Sequence, residues 1–349
     1  MLPTGVHFET YAGEARILKT RRATVWLGLL ILGLVILPQA VGPYTVGVFT
    51  HMFITLMAVY GLYVTVGLGG QINIAQSAFV GVGAFATAKL SGYGLPFWAV
   101  IPMAALITGA VSVIFALPAA KVKGFYLALT TLAAQVMFPI VIFALPMDWL
   151  GGLVGMAVEP VRLGPVTLGS PVHFYYFTLV LVGLLTVAAF NLPRTRFGRS
   201  LMAVRDNDVV AEVMGVPVFR TKVMAFFAGS LFAGVAGACT AYFLQFVTVE
   251  SFTLFASVWY LGMLIVGGAA SPVGAILGVV FITAVQEGLH SAATVMLQSG
   301  AAGGGMLFAL TSIVLGGCIL VALIFEPRGL AHRWSVIRTA FQLWPFPRN

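Results

Sequence analysis

The groups able to do chemistry are few, and their spacing suits none of the common reactions. His51 sits inside a long apolar run, while Glu287, His290 and Lys89 lie near the ends of others. There is no HExxH pair for zinc and no GxxxxGK[ST] loop for nucleotide phosphates. Cys239 and Cys318 both fall within apolar runs and read as small packing residues, not as a disulfide or metal pair. His51, standing alone, reads as a hydrogen-bonded packing residue. No catalytic set and no metal-ligand set emerges. What remains is neutral and polar: Gln71, Asn73, Gln76 and Ser77 in one apolar run, Thr130, Thr131 and Gln135 in another. Such groups can hold a passing solute weakly enough to release it. They can equally hydrogen-bond one helix to the next, at about 0.6 kcal/mol per pair in membranes. Residues 73, 76 and 77 share a helical face by i, i+3, i+4 spacing, as do 131 and 135. Spacing alone leaves packing and path-lining both open.

The elements that must position these residues follow from composition. Of 349 residues, 60% are hydrophobic and 8% charged, with a mean hydropathy of +1.04. A soluble domain carries about 25% charged residues. The shortfall excludes a soluble enzyme, a nucleic-acid-binding module and a disordered chain, and no nucleic-acid partner is expected despite a net charge of +8. The expected fold is an all-α polytopic membrane protein. Ten spans are predicted near 23–42, 44–67, 71–90, 96–119, 124–146, 172–192, 221–244, 253–268, 272–289 and 305–325. The first follows Arg16, Lys19, Arg21 and Arg22, is long enough to cross, and lacks a small-residue cleavage pattern, so it is expected to act as a signal anchor. Glycine is frequent, at 40 residues. Gly81, Gly83, Gly234, Gly237 and the GxxxG pair Gly274–Gly278 are expected to let helices approach closely.

With both termini in the cytosol, sixteen of the eighteen basic residues fall on the inner side, and only Lys89 and Arg162 lie outside. The opposite orientation would break the positive-inside rule. The expected organisation is a basic N-terminal segment (1–22), a membrane domain (23–325) carrying a cytosolic loop at 193–222, and a basic tail (326–349). The tail places Leu330, Trp334, Ile337, Phe341 and Trp344 on one helical face, fit to lie among lipid headgroups. Ionisable residues within spans usually mark a coupling ion or proton path, and this chain has almost none. If it transports, its energy comes from another polypeptide.

The loop between the sixth and seventh spans is the most polar inner segment. Residues 194–222 hold six basic residues with Asp206, Asp208 and Glu212. A short helix is predicted there: Asp206 or Asn207 caps it, Val209, Val210, Val213 and Met214 form an apolar stripe, and Gly215 and Pro217 end it. An apolar face held in the cytosol calls for something that docks on it.

The loop resembles the coupling region of ATP-binding-cassette importer permeases of the branched-chain amino-acid family, LivM-like members of the LivH/LivM pair. The likeness runs through Arg194, Phe197, Gly198, Arg199, Leu201, Ala203, Arg205, Asn207, Ala211 and Gly215. LGGQINIAQSAFVGVGAF (68–85), KGFYLALTTLA (123–133), AGVAGACTAYF (233–243), GGAASPVGAILG (267–278) and FEPRGLA (325–331) are similar to the family's motifs and stand in its order. The resemblance implies a permease without its own ATPase site or cofactor, with ATP used by partner subunits. The implied partners are a second homologous permease, two cytosolic ATPase subunits and an extracytoplasmic solute-binding protein. It marks Arg205, Asp206, Asn207, Glu212 and Gly215 as the ATPase-coupling contact. The solute would be a branched-chain amino acid or a related amino acid or amide. A urea, short-chain amide or sugar importer is the near alternative. A carrier acting alone, or a scaffold that transports nothing, are alternatives of other classes.

Overall fold

The computed structural model describes residues 21–122, 124–152, 154–163, 166–167 and 170–298. Toward the C-terminus it describes 313–314, 316–317, 319–321, 324–326 and 329–343. The chain is helical almost throughout. Its long helices are α1 (Arg21–Ala40), α2 (Pro43–Leu62, continued as a π-helix through Tyr63–Leu68), α3 (Gln76–Gly92), α4 (Phe97–Ala119) and α5 (Phe125–Ala144). A single turn, α6 (Met147–Leu150), precedes α7 (Pro171–Asn191) and the two short polar-loop helices α8 (Arg196–Asp206) and α9 (Asp208–Val213). Then come α10 (Val218–Leu244), α11 (Leu254–Gly267), α12 (Pro272–Gln298) and α13 (Leu330–Leu343). Two-residue antiparallel ladders join Met156–Ala157 to Phe246–Val247 and Arg162–Leu163 to Val166–Thr167.

Among the described residues, seven helical stretches are long and apolar enough to cross a membrane: Pro43–Leu68, Phe97–Ala119, Phe125–Ala144, Pro171–Arg194, Val218–Leu244, Val249–Gly267 and Pro272–Thr294. The chain is thus an all-α polytopic protein. The apolar stretch Thr24–Ala40 and α3 are helical but shorter. The predicted tenth span, Cys318, the basic segment before Arg21 and Trp344 lie wholly or largely outside the described residues. Helix α12 runs to Gln298 where the ninth predicted span stops at 289, because residues 288–298 contain neither proline nor a paired glycine to end it.

Helices α2, α3, α4 and α10 form the centre, and small residues decide how close they come. A Cβ on Gly83 would stand 2.7 Å from the backbone of Gly234, and one on Gly237 would overlap the Val80 carbonyl. Gly274 and Gly278 lie as tightly against the Gly267–Gly268 and Met263 backbones. Close backbone approach substitutes here for the hydrophobic drive that lipid removes. Cys239 is fully buried in this seam.

Polar side chains tie the outer helices to the centre. Tyr60 on α2 shares a 3.1 Å hydrogen bond with Thr186 on α7. Pro38 inside α1 has no N–H, which leaves the Leu34 carbonyl without its helical donor. The Tyr175 hydroxyl of α7 supplies one at 2.8 Å, and that of Tyr176 donates to the Val35 carbonyl at 2.9 Å. At the start of α2, the Tyr44 hydroxyl donates to Glu287 on α12. His51, expected inside the packing, is exposed on α2 with no hydrogen-bond partner among the described residues.

Candidate functional site

The polar loop folds as two helices. Thr195 caps α8, its hydroxyl accepting from the Gly198 N–H at 3.0 Å and donating to the Leu192 carbonyl at 2.7 Å. The amphipathic α8 buries Gly198, Leu201 and Val204. Asn207 then adopts extended backbone and ends α8 while capping α9: its Oδ1 accepts from Val209 and Val210, both at 3.1 Å. At the far end Gly215 takes φ +84°, and the Val216 and Gly215 N–H groups return to the Ala211 and Glu212 carbonyls. This left-handed termination favours glycine. Ala211 anchors the inner face of α9. Its outer face presents Val213 and Met214 at 81% and 78% exposure, with Val209 and Val210 beside them. Glu212 is exposed and makes no side-chain bond among the described residues. The predicted short helix, its Asn207 cap and its stripe stand where the sequence puts them. The preceding helix α8 was not foreseen, although Phe197, Leu201 and Val204 carry an i, i+4, i+7 apolar signal.

This pair of helices is fastened to the membrane body at one corner. Arg205 donates through Nη1 to the Gly67 carbonyl at 2.8 Å, and through Nε and Nη2 to Asp206 at 3.1 and 3.0 Å. Its side chain lies across Gly70, where φ is +63° and a Cβ would fall 2.5 Å from Arg205 Cγ. Lys222, at the start of α10, faces Asp208 at 3.5 Å. The Gln71 amide donates to the Lys222 carbonyl at 3.4 Å. The loop helices therefore grip the turn that follows α2.

That turn corrects the predicted third span. Residues 69–75 are not helical; the chain turns at Gly70 and climbs back beside α2 before α3 starts at Gln76. The Gln76 amide donates to the Ala58 carbonyl at 2.6 Å. Ala58 stands ten residues before the π-helix ends at Leu68, about 15 Å along the helix at 1.5 Å per residue. The N-terminus of α3 thus opens within the bundle, where free N–H groups would be costly. Side chains satisfy them. Asn73 Oδ1 accepts from Ala75 at 2.9 Å, Thr131 from Ile74 at 3.2 Å, Ser257 from Ser77 at 2.8 Å and Gln135 from Ala78 at 2.9 Å. Gln135 also accepts from Ser257 and donates to the Phe252 carbonyl, each at 2.9 Å.

Five of the seven neutral polar candidates therefore meet at the start of α3, and Gln71 lies on the turn that leads to it. Gln71, Asn73, Gln76, Ser77, Thr131 and Gln135 are all buried, none more than 3% exposed. Asn73 does not share a helical face with Gln76 and Ser77, because it lies in the extended segment; it donates to Gln76 Oε1 at 3.2 Å instead. Thr130 stands apart, its hydroxyl returned to the Tyr126 carbonyl of its own helix at 2.8 Å. Ser257, Asp208 and Lys222 belong to these networks and were not singled out beforehand. A serine or a charged pair acquires such meaning only from the neighbour that folding supplies. Two buried oxygens here, Gln71 Oε1 and Ser77 Oγ, have no hydrogen-bond partner among the described residues.

A charge-poor helical bundle, broken at one internal helix and gripped there by a two-helix arm, has the build of a membrane permease. The chain belongs to the family of branched-chain amino acid transport system permease components, whose model matches residues 44–323. It is similar to the high-affinity branched-chain amino acid transport permease LivM of Salmonella typhimurium, 27% identical over 298 residues, 77% of this chain and 66% of the relative. Against the Escherichia coli LivM it is 26% identical over 313 residues, 79% and 68% of the two chains. The chain spans about two thirds of the length of these curated relatives. A shorter likeness, 36% identity over 132 residues and 36% of each chain, links it to the autoinducer 2 import permease LsrC of an Enterobacter species. No solved structure matches. With its apolar spans, the protein is a multi-pass component of the inner membrane.

Proposed function

We propose that this chain is the translocating subunit of an ATP-driven importer for branched-chain amino acids or a related amino acid or amide. In this reading it crosses the membrane about ten times with both termini in the cytosol, and α13 lies against lipid headgroups. It works with a second homologous permease, two cytosolic ATPase subunits and a solute-binding protein outside the membrane. ATP is consumed by the partners, and the chain carries no cofactor.

The observation that carries the proposal is α9: a capped helix with an exposed apolar stripe, joined through Arg205 to the turn at Gly67–Gly70. An ATPase that seats this stripe moves Arg205, and Arg205 moves the segment leading to α3. Asn207 and Gly215 set the ends of the docking helix, Asp206 orients Arg205, and Glu212 offers the partner a charge. The buried polar groups around α3 would lie along the solute path only after this segment shifts, since they bond one another here. Selectivity then belongs to the binding protein, and the path holds its cargo weakly.

Glu212→Arg in the assembled transporter tests this. Glu212 has no described side-chain partner in the chain, so the fold survives while the cytosolic contact inverts its charge. ATP hydrolysis that no longer responds to loaded binding protein, with uptake lost, is expected. Normal coupled hydrolysis and uptake, in this variant and in the double reversal with Arg205→Glu, removes the loop from the mechanism. The likeness to LsrC favours one second reading, a polar sugar-like solute; ligand binding by the cognate solute-binding protein separates the two.

A further inference from the structure

Between the α8–α9 junction, the 69–71 turn and the start of α5 lies a polar cavity of about 360 Å³, at the lower end of the volumes that hold small molecules. Its walls carry both signs of charge: Arg205 and Lys222 against Asp206 and Asp208. Three aliphatic side chains, Val122, Leu127 and Val204, complete it. Among the described lining residues the charges balance, so a simple cation or anion gains little from them. A molecule bearing one charge of each sign beside an aliphatic body matches all three features.

Two further details bear on how the walls would meet a ligand. Lys222 and Asp208 face each other at 3.5 Å with side chains only 11% and 22% exposed, a separation longer than the 2.7–2.9 Å of a tight charged hydrogen bond. The Gln71 amide in the wall is 2% exposed, holds one long bond and leaves its oxygen without a partner.

We propose that this cavity is a cytosolic binding site for a small zwitterionic α-amino acid with an aliphatic side chain, and that its occupation slows further uptake. The carboxylate faces Lys222 and Arg205, the ammonium group faces Asp206 and Asp208, and the side chain lies on Val122, Leu127 and Val204. The walls belong to the arm, the turn after α2 and the entry of α5, with Lys222 contributed by the start of α10. A ligand touching all three stabilises the arrangement in this structure over any in which the arm has shifted. That differential affinity is what inhibition requires. The inference rests on the importer reading for its orientation and for the class of solute.

The test uses the assembled transporter, membrane subunits with their ATPases, in lipid nanodiscs without solute-binding protein. Radiolabelled L-leucine is the probe; isovalerate and isoamylamine, each lacking one of its charges, are the competitors. Leucine should bind, and each competitor should be at least about tenfold weaker, the factor for one charged hydrogen bond lost. Val122→Trp, a loop substitution that fills the aliphatic wall, should abolish binding. Lys222→Gln should weaken it without closing the cavity. In proteoliposomes, leucine enclosed on the cytosolic side should slow uptake by the parent and not by Val122→Trp. Absence of leucine binding, or equal binding and equal inhibition in Val122→Trp and the parent, overturns the site. If leucine binds and Val122→Trp abolishes it, yet loaded binding protein drives no leucine uptake, the site stands and the substrate reading fails. Leucine uptake that internal leucine never slows leaves the importer and removes the site.

Discussion

Gln135 does more than any other neutral side chain in the bundle. One amide accepts from Ala78 and Ser257 and donates to Phe252, so three segments meet on it. Gln135→Leu keeps the volume and removes the hydrogen bonds, stranding buried groups at about 1–3 kcal/mol each. A clear drop in the thermal unfolding midpoint of the detergent-solubilised protein is expected. Thr130→Val on the same helix, which breaks only a bond within one turn, should leave the midpoint in place. Equal effects of the two would mean that the α3 entrance is not held as described. The types of these residues were readable in the sequence; their separation into network and bystander was not. Thr130 and Thr131 are neighbours about 100° apart on a helix, and only the position of the 69–75 segment decides which hydroxyl finds an N–H. Asn73 was misplaced for the same reason: a glycine pair in a Gly-rich span gives no local sign that the helix starts six residues later.

Among the elements, α9 was the most legible because every local cue agreed, from the Asn207 cap through the valine stripe to Gly215 and Pro217. Its companion α8 is less legible because Arg196, Arg199 and Arg205 interrupt its short apolar pattern. The two have different roles. Helix α8 is bound to the body through Leu201 and Val204, whereas α9 shows most of its apolar side chains to solvent. Val213→Glu should therefore leave the unfolding midpoint within error while ATP hydrolysis loses its dependence on loaded binding protein. Leu201→Glu, fully buried, should lower the midpoint. Loss of stability in the exposed variant would show that α9 packs against this chain and not against a partner.

For the whole molecule, the fold class follows from the shortage of all charge, and the proposed orientation rests on the distribution of arginine and lysine. A cysteine at position 212, in a background where Cys239 and Cys318 are replaced, should react only with reagents admitted to the cytosolic side. One at Val154, exposed in the segment after α6, should react only from outside. The reverse pattern would invert the protein. Among the described residues, seven of the ten predicted spans, those with long apolar runs, coincide with helices long and apolar enough to cross; the run alone does not show where glycines let a helix stop inside the bundle. The bond between Tyr175 and the Leu34 carbonyl bears on how the protein is made. Its partners are 141 residues apart, so at about 5–20 residues per second of translation the first helix waits on the order of ten seconds for the hydroxyl that replaces the N–H missing at Pro38. During that interval a bare carbonyl at membrane depth costs several kcal/mol against lipid. If α1 crosses the bilayer as the ten-span reading proposes, shelter at the insertion machinery until α7 emerges would spare the nascent helix that cost, and the hydroxyl it waits for belongs to a residue the ribosome has not yet reached.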